Sequence, residues 1–360
     1  LRMSRCWADE GHDVLVVGPN NLPLLEGRLQ VRRLPILRIT RLLRGISYVL
    51  SMLRFLWAER RAYDVIYCRF VREQAFVVCL AKAFFGLNCP LVVCPTSASS
   101  ASGDGSIEAL GRNWRGRLLL ALIRREANRV NAISRVIAEE VLQVGIAPDR
   151  LSHIPNGTVV PSQFVRSTPP AESALTLLFV GRLAHQKGVD VLLHALAGLS
   201  SAGFEGRPLR LDIVGDGQER TALERMTRRL GLSACVSFHG AVAVAEVSRF
   251  LRAADLFVLP SRYEGMPGVL LEAFAHGLPA VGTRVSGTDE VITPGATGWL
   301  VPPDDVVALQ DALREAASMA TETLARQGAV ARELVVTRYS IDHVAQRHLD
   351  LFGSLLGSRA

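Results

Sequence analysis

An α/β protein of two Rossmann-like lobes is predicted from three observations. Short β-branched runs alternate with helical stretches, the alternation pauses near residue 165 and restarts near 174, and the composition is that of a well-buried chain. The 360 residues are 49% hydrophobic but only 6% aromatic, which fits about two domains with parallel sheets covered on both faces.

In the first half, "DVLVVGP", "YDVIYCRF", "PLVVCPT" and "RVNAISR" read as strands, separated by helices at 42–61, 72–86, 107–127 and 134–144. The opening "LRMSRCWADEG" reads as the back half of a helix stopped by Gly11. A parallel sheet normally begins with a strand and loop before that helix, so an opening segment is expected to be missing. "STPPAES" marks the linker, taken as 164–173 between a lobe at 1–163 and a second at 174–340. There "LTLLFVG", "LRLDIVG", "CVSFHG", "LFVLPS" and "LPAVGT" alternate with helices near 187–202, 218–230, 245–253 and 268–276.

Charge and cysteine usage narrow the function classes. Residues 1–165 hold 22 Lys+Arg against 13 Asp+Glu, whereas 166–360 hold 19 against 21. A basic first half suits anionic lipid or a phosphorylated substrate. Nucleic acid ranks last, because the interleaved aromatics of such readers are missing. Cys6, Cys68, Cys79, Cys89, Cys94 and Cys235 form no C-x-x-C pair and mostly sit in apolar runs, so reduced thiols are expected. With no secretory signal, the expectation is the cytoplasm. No apolar run reaches the ~18 residues of a spanning helix.

In doubly wound sheets, ligands bind at the carboxyl ends of strands, and the unusual residues lie there. Gly181 and Arg182 follow "LTLLFV", and Lys187 enters the next helix. Lys82 and Lys187 are the two lysines among 41 basic residues. A compact ammonium suits a point contact to phosphate, though a surface cation is the plainer alternative. Gly215, Asp216 and Gly217 turn after "LRLDIV", and Gly240 closes "CVSFHG"; such turns are also common structural punctuation. After "LFVLPS", the stretch "RYEGMPGVLLEAFAHG" sets Gly265, Met266, Pro267, Gly268 and Val269 at a helix start, a ready anion site. Glu264 lies in that turn and Glu272 among apolar neighbours. Each would otherwise be a first-turn or snorkelling acid.

Taken together, Arg182, Lys187, "SRYEGMPGVLLEA", "AHGLPAVGT" and "GATGWLVPPDD", with "AISRVIAEEVLQVGIAPDRLSHIPNGTVVPSQF" before the linker, resemble the retaining family-four glycosyltransferases (group 1) of the GT-B fold. Glu264 and Glu272 match the family's E-x7-E pattern. The resemblance spans essentially the whole chain, and "TRYSIDHVAQRHLDLF" is similar to the closing helix (341–357) that returns to the first lobe. It implies sheets facing across an interdomain cleft and transfer of a sugar from a nucleotide-diphosphate sugar to a glycan, glycolipid or small-molecule hydroxyl. Arg182, Lys187 and the amides of Gly265 to Val269 would hold the diphosphate, with Gly181, Gly215, Asp216 and Gly240 nearby. Glu272 would hold ribose hydroxyls and Glu264 those of the donor sugar, favouring an oxocarbenium-like centre. Retention is ascribed to front-face attack, so no nucleophile is nominated. UDP is favoured over GDP because it is the family's commoner donor nucleotide.

No D-x-D motif occurs, "PPDD" (Asp304, Asp305) reads as a helix start, and no metal or cofactor is expected. Departures from the family are the missing N-terminal strand and Gly-rich loop, and a first lobe without the His many relatives place beside the sugar. There "SGDGS" offers Gly103 and Asp104 as acceptor-side candidates, or an ordinary flexible loop. The helix at 41–61 carries Arg41, Arg44, Arg54, Arg60 and Arg61 around an apolar body. It either buries its apolar face in the first lobe or rests peripherally on the inner face of an anionic membrane. The alternatives in function are a GT-B-fold nucleotide-sugar epimerase, which would need ring-directed acid and base residues, and a catalytically silent nucleotide-sugar-binding protein.

Overall fold

The computed structural model describes residues 2–18, 27–36, 40–97, 107–162, 174–201 and 207–357. Two compact units result: Leu1–Gly157 with Ile341–Ala360, and Thr158–Ser340. The linker expected at 164–173, together with Gly103 and Asp104, lies outside the described residues.

The first unit contains strands β1 (Val14–Gly18), β2 (Leu29–Arg33), β3 (Ile66–Arg69), β4 (Leu91–Cys94), β5 (Arg129–Ala132) and β6 (Leu151–His153). Its helices are α1 (Arg2–Asp9), α2 (Arg41–Ala58), α3 (Glu73–Phe84), α4 (Trp114–Glu126) and α5 (Arg135–Gln143). All strand pairs are parallel, but the single sheet expected here is corrected: β1 pairs with β2, while β3, β4, β5 and β6 form a separate sheet in that order. A ladder needs backbones about 4.8 Å apart, and no described strand joins β1 to β3.

The helix expected over 107–127 is also corrected. A 3₁₀ turn, Glu108–Arg112, ends at Asn113, whose side chain accepts from the Gly116 amide at 2.8 Å and starts α4 afresh. The strand run "RVNAISR" stops at Ala132 because Ser134 caps α5 through the Ile137 amide. The polar-rich β2 and the very short β6 escaped the sequence pattern.

The second unit contains β7 (Leu175–Val180), β8 (Leu209–Val214), β9 (Val236–Gly240), β10 (Leu256–Leu259), β11 (Ala280–Thr283) and β12 (Gly298–Val301). Its helices are α6 (Val189–Ser201), α7 (Arg220–Arg229), α8 (Val244–Ala253), α9 (Gly268–Ala275), α10 (Val306–Ser318) and α11 (Thr321–Leu334). After a π-helical turn, Val335–Tyr339, α12 (Ile341–Gly357) follows in the first unit. The sheet order is β12-β11-β10-β7-β8-β9, all parallel.

Central β7 and β10 are apolar on both faces because helices cover both. Leu177, Phe179, Ile213 and Val258 join Leu192, Leu196 and Leu313 in one core cluster. On neighbouring positions Leu178 and Phe257 are equally buried, as are Leu271 and Phe274 of α9. In the first unit Trp7 of α1 meets Tyr67 of β3 edge-on at 5.8 Å, and Phe352 of α12 at 5.4 Å. Its indole N–H donates to the Ala345 carbonyl at 3.3 Å, so α12 is tied to α1. All six cysteines are free thiols, with Cys68, Cys79, Cys89 and Cys94 buried.

Candidate functional site

The carboxyl ends of β7, β8, β9 and β10 gather most of the sequence candidates of the second unit. Gly181 follows β7 and donates to the Val214 carbonyl at 3.0 Å; Gly215 follows β8 at φ 139° and donates to the Gly240 carbonyl at 2.8 Å. A Cβ on Gly215 would overlap the Gly181 carbonyl, so the two turns touch backbone to backbone and only glycine fits.

The loop after β7 carries Arg182, then a 3₁₀ turn, His185–Lys187, closed by Gly188 at φ 62°. Arg182 is exposed, and its guanidinium has no protein acceptor among the described residues. Lys187 is inward: its side chain is 15% exposed, and Nζ lies 2.5 Å from Oε1 of Glu264. Ser261 Oγ donates to the same oxygen at 2.6 Å. Both bonds fall on Oε1, so Oε2 takes no donor among the described residues. Glu264 is itself only 7% exposed and sits in the loop before α9, not in its first turn. A buried carboxylate so held is pre-oriented, and removing one partner of a buried ion pair is strongly destabilising.

The two loops are joined by Arg262, Asp190 and Gln186, to which the sequence reading assigned no role, together with Asp304. Arg262 donates to the His185 carbonyl at 2.6 Å and grips Asp190 of α6 bidentately at 2.9 and 2.7 Å. Its Nε meets Asp304 at 2.7 Å. The Arg262 amide donates to the Gln186 carbonyl, and the Gln186 side chain returns a bond to the Tyr263 carbonyl at 3.0 Å. Burial opposes ionisation of Asp190, but the bonds from Arg262 outweigh it and hold this carboxyl below the usual range. Bonding to Asp190 raises the Arg262 guanidinium further. Ser261 and Arg262 stand inside the motif "SRYEG", and that adjacency was the available signal. Arg262's partners Asp190 and Asp304 lie too far away in sequence to be paired with it.

The helix start read from "PPDD" divides between its acids. Asp305 Oδ1 accepts from the Ala308 amide at 2.9 Å and caps α10. Asp304 adopts φ 59° and serves Arg262 instead.

Gly265, Met266 and Pro267 lead into α9, which begins at Gly268 and Val269. The first-turn amides of Gly268 and Val269 have no intrahelical acceptor, and the space beside Gly268 is open to 4 Å. Ser286 Oγ donates to the Gly265 carbonyl at 3.2 Å, and Gly287, at φ 73°, packs its backbone against Gly265 and Met266. Glu272 is half-buried on α9, and its carbonyl accepts from the His276 ring at 2.8 Å. Asp216 is engaged within the protein: it accepts from the Gly217 amide at 2.7 Å and from Arg220 at 3.0 Å, the backbone bond first and Arg220 next lowering its pKa. It shapes the turn beneath Gly240 rather than presenting a free carboxylate.

An inward ammonium and a helix start thus share one end of one sheet with a buried acid whose second oxygen takes no donor among the described residues. Among the described residues, no cluster of three His, Cys, Asp or Glu side chains is arranged to hold a metal ion. No described helix is long and apolar enough to cross a membrane.

The family model described as Glycosyl transferases group 1 matches residues 174–318, and that described as Glycosyl transferase 4-like domain matches residues 1–157. The D-inositol 3-phosphate glycosyltransferase of Corynebacterium urealyticum is 35% identical over 188 residues, 51% of this chain and 44% of that protein. The chain spans about half the length, or less, of the curated relatives it matches first. Among solved structures, sucrose-phosphate synthase from Thermosynechococcus elongatus aligns with a TM-score of 0.81 at 21% identity, over 99% of this chain and 92% of that one. Anabaena HepE in complex with UDP and glucose aligns with a TM-score of 0.75 at 21% identity, over 98% and 94%. Both halves are matched by models of one enzyme group, and the sheets are those of its fold: the chain belongs to the group 1 glycosyltransferases of GT-B architecture.

Proposed function

We propose that this chain transfers a sugar from a nucleotide-diphosphate donor, a UDP-sugar in preference, to a hydroxyl of a glycan, glycolipid or small molecule, with retention and without a metal. The observation that carries the reading is the Lys187–Glu264–Ser261 cluster, in which both bonds fall on Glu264 Oε1 and Oε2 takes no donor among the described residues. Binding of UDP-glucose by the structurally similar HepE supports the choice of donor.

In this reading the diphosphate lies against Arg182, the remaining N–H groups of Lys187 and the amides of Gly268 and Val269. The bond from the sugar's anomeric carbon to the diphosphate oxygen breaks, and the leaving charge falls on these cations and amides. The acceptor oxygen bonds the anomeric carbon from the same face and its proton passes to the leaving phosphate. Glu264 Oε2 accepts from a donor-sugar hydroxyl and favours positive charge at the anomeric centre; Glu272 accepts from the ribose. The same proposal places the enzyme in the cytoplasm, peripherally at an anionic membrane when its acceptor is lipid-linked.

The test is a thermal-shift screen of UDP-, GDP-, ADP- and dTDP-sugars, with and without EDTA, on the wild type and Glu272→Ala. A ligand at 100 times its Kd adds about 2.7 kcal/mol of stability. The expected result is a shift with UDP-sugars, unchanged by EDTA and lost in the variant. A folded protein that no nucleotide-sugar shifts refutes a donor site in the second unit.

A further inference from the structure

Helix α2 is apolar on two opposite sides. Met52, Phe55 and Leu56 are buried in the first unit, yet Leu43, Ile46, Leu50 and Trp57 are 41%, 47%, 61% and 54% exposed. The exposed four stand at i, i+3, i+7 and i+14, one stripe along the helix. A surface helix with one buried face ordinarily shows water a polar one. The segment 41–58 contains no acid, and exposed Arg44 and Arg54 accompany the stripe.

At the carboxyl end of α2 the stripe runs into a cavity of about 490 Å³ lined by Arg60, Arg61, Tyr63, Asp64, Gly86 and Asn88, among others. Arg60 lies 5.3 Å over the Trp57 ring and donates to the Trp57 carbonyl at 2.8 Å, linking cavity and stripe. Phe84 and Phe85, 70% and 42% exposed, immediately precede Gly86. One carboxylate, Asp64, faces two guanidiniums, so the lining is net cationic.

We propose that this face docks on an anionic bilayer: α2 lies in the membrane plane with Leu43, Ile46, Leu50 and Trp57 at the acyl boundary, and the Arg60–Arg61 cavity holds the phosphodiester of an acidic phospholipid. Apolar and aromatic side chains on an acid-free helix, beside a cavity where two arginines face one carboxylate, match that interface in both hydrophobicity and charge. A second copy of the chain is a poor occupant, because a symmetric contact would bring two arginine-bearing faces of α2 together with no acid from 41–58 to neutralise them. The inference rests on the proposed enzyme only in naming where a lipid-linked acceptor would be met. Its test requires no turnover, so failure of docking and failure of donor chemistry are told apart.

The full chain is sedimented with vesicles of phosphatidylcholine alone and of phosphatidylcholine with one third phosphatidylglycerol, at low and physiological salt. Binding is expected to the anionic vesicles only, weakened by salt. It should fall roughly fivefold for each arginine removed in Arg60→Ala and Arg61→Ala, and be lost in Leu50→Glu/Trp57→Ser. Leu50, Trp57 and Arg61 are exposed and Arg60 is half-buried, and circular dichroism and melting of each variant check the fold. If the double apolar variant misfolds, the two arginine variants still decide. Val330→Glu, an exposed apolar residue of the second unit, should bind as the wild type. Equal binding to both vesicles, no binding, or arginine variants that bind like the wild type would overturn the proposal. So would a dimer in solution that Leu50→Glu dissociates.

Discussion

Gly188→Ala tests whether the geometry around Lys187 sets donor affinity. Gly188 stands in the left-handed region, φ 62°, ψ 23°, where an alanine costs roughly 1–2 kcal/mol. A Cβ there would also overlap the carbonyl oxygen of Pro260 and lie 3.0 Å from its carbon. The obstacle is backbone, so no rotamer relieves it, and the β7 loop must retreat by about 1 Å, a displacement large enough to matter for function. The combined cost is about 2–3 kcal/mol, a melting temperature lower by roughly 4–12 °C for a unit of this size.

The shift moves Lys187, the preceding residue, from its 2.5 Å contact with Glu264. UDP-sugar affinity should therefore fall on the order of tenfold or more, about 1.4 kcal/mol per decade. Thermal unfolding, circular dichroism and donor titration of wild type and variant measure all of this. Gly353→Ala is the control: it lies within α12 with nothing inside 4 Å of the added carbon, and should raise stability by roughly 0.5–1 kcal/mol. A Gly188→Ala protein that melts and binds donor like the wild type refutes the claim that this glycine sets the cluster.

Arg262→Ala removes the link between the β7 and β10 loops. Asp190 and Asp304 are 36% and 57% exposed at their side chains and can rehydrate, so urea denaturation should show a loss of only about 1–3 kcal/mol, with a larger loss of donor affinity. Arg262→Lys should recover part of the stability and little of the binding, because an ammonium cannot reproduce the bidentate grip on Asp190. Lys187→Met strands the buried Glu264 charge and should destabilise by about 3–5 kcal/mol. Lys187→Met/Glu264→Gln should melt above that single variant while still failing to bind donor; equal melting would contradict the pairing. His348 is buried, 2% exposed, with burial driving its pKa down to about 4. Its ordinary value is near 6.5, so the unfolded chain binds the extra proton between these values. The stabilisation, roughly 3 kcal/mol, is present above pH 6.5 and is lost as pH falls toward 4. His348→Phe should flatten that part of the stability profile, and an unchanged profile would show that other groups govern it.

The local pattern of the sequence determined the α/β class and most strands and helices, and it set the unusual residues at one end of the second sheet. These are legible because burial on both faces of a parallel sheet leaves unbroken apolar runs, and the glycines ending them mark backbone that nothing larger can follow. The motif "SRYEGMPGVLLEA" likewise shows Glu264 just ahead of the α9 helix start. The sequence did not show that Lys187 and Glu264 are partners. They are 77 positions apart, and only the hydrogen-bonded neighbours β7 and β10 bring their loops together. For the same reason Arg262 was silent: a guanidinium's role depends on which acids reach it, and Asp190 and Asp304 arrive from opposite directions along the chain. The first unit's division into two sheets, and the second apolar face of α2, were also decided by the tertiary structure. Periodicity shows that a helix has apolar sides, but only packing determines which of them is covered.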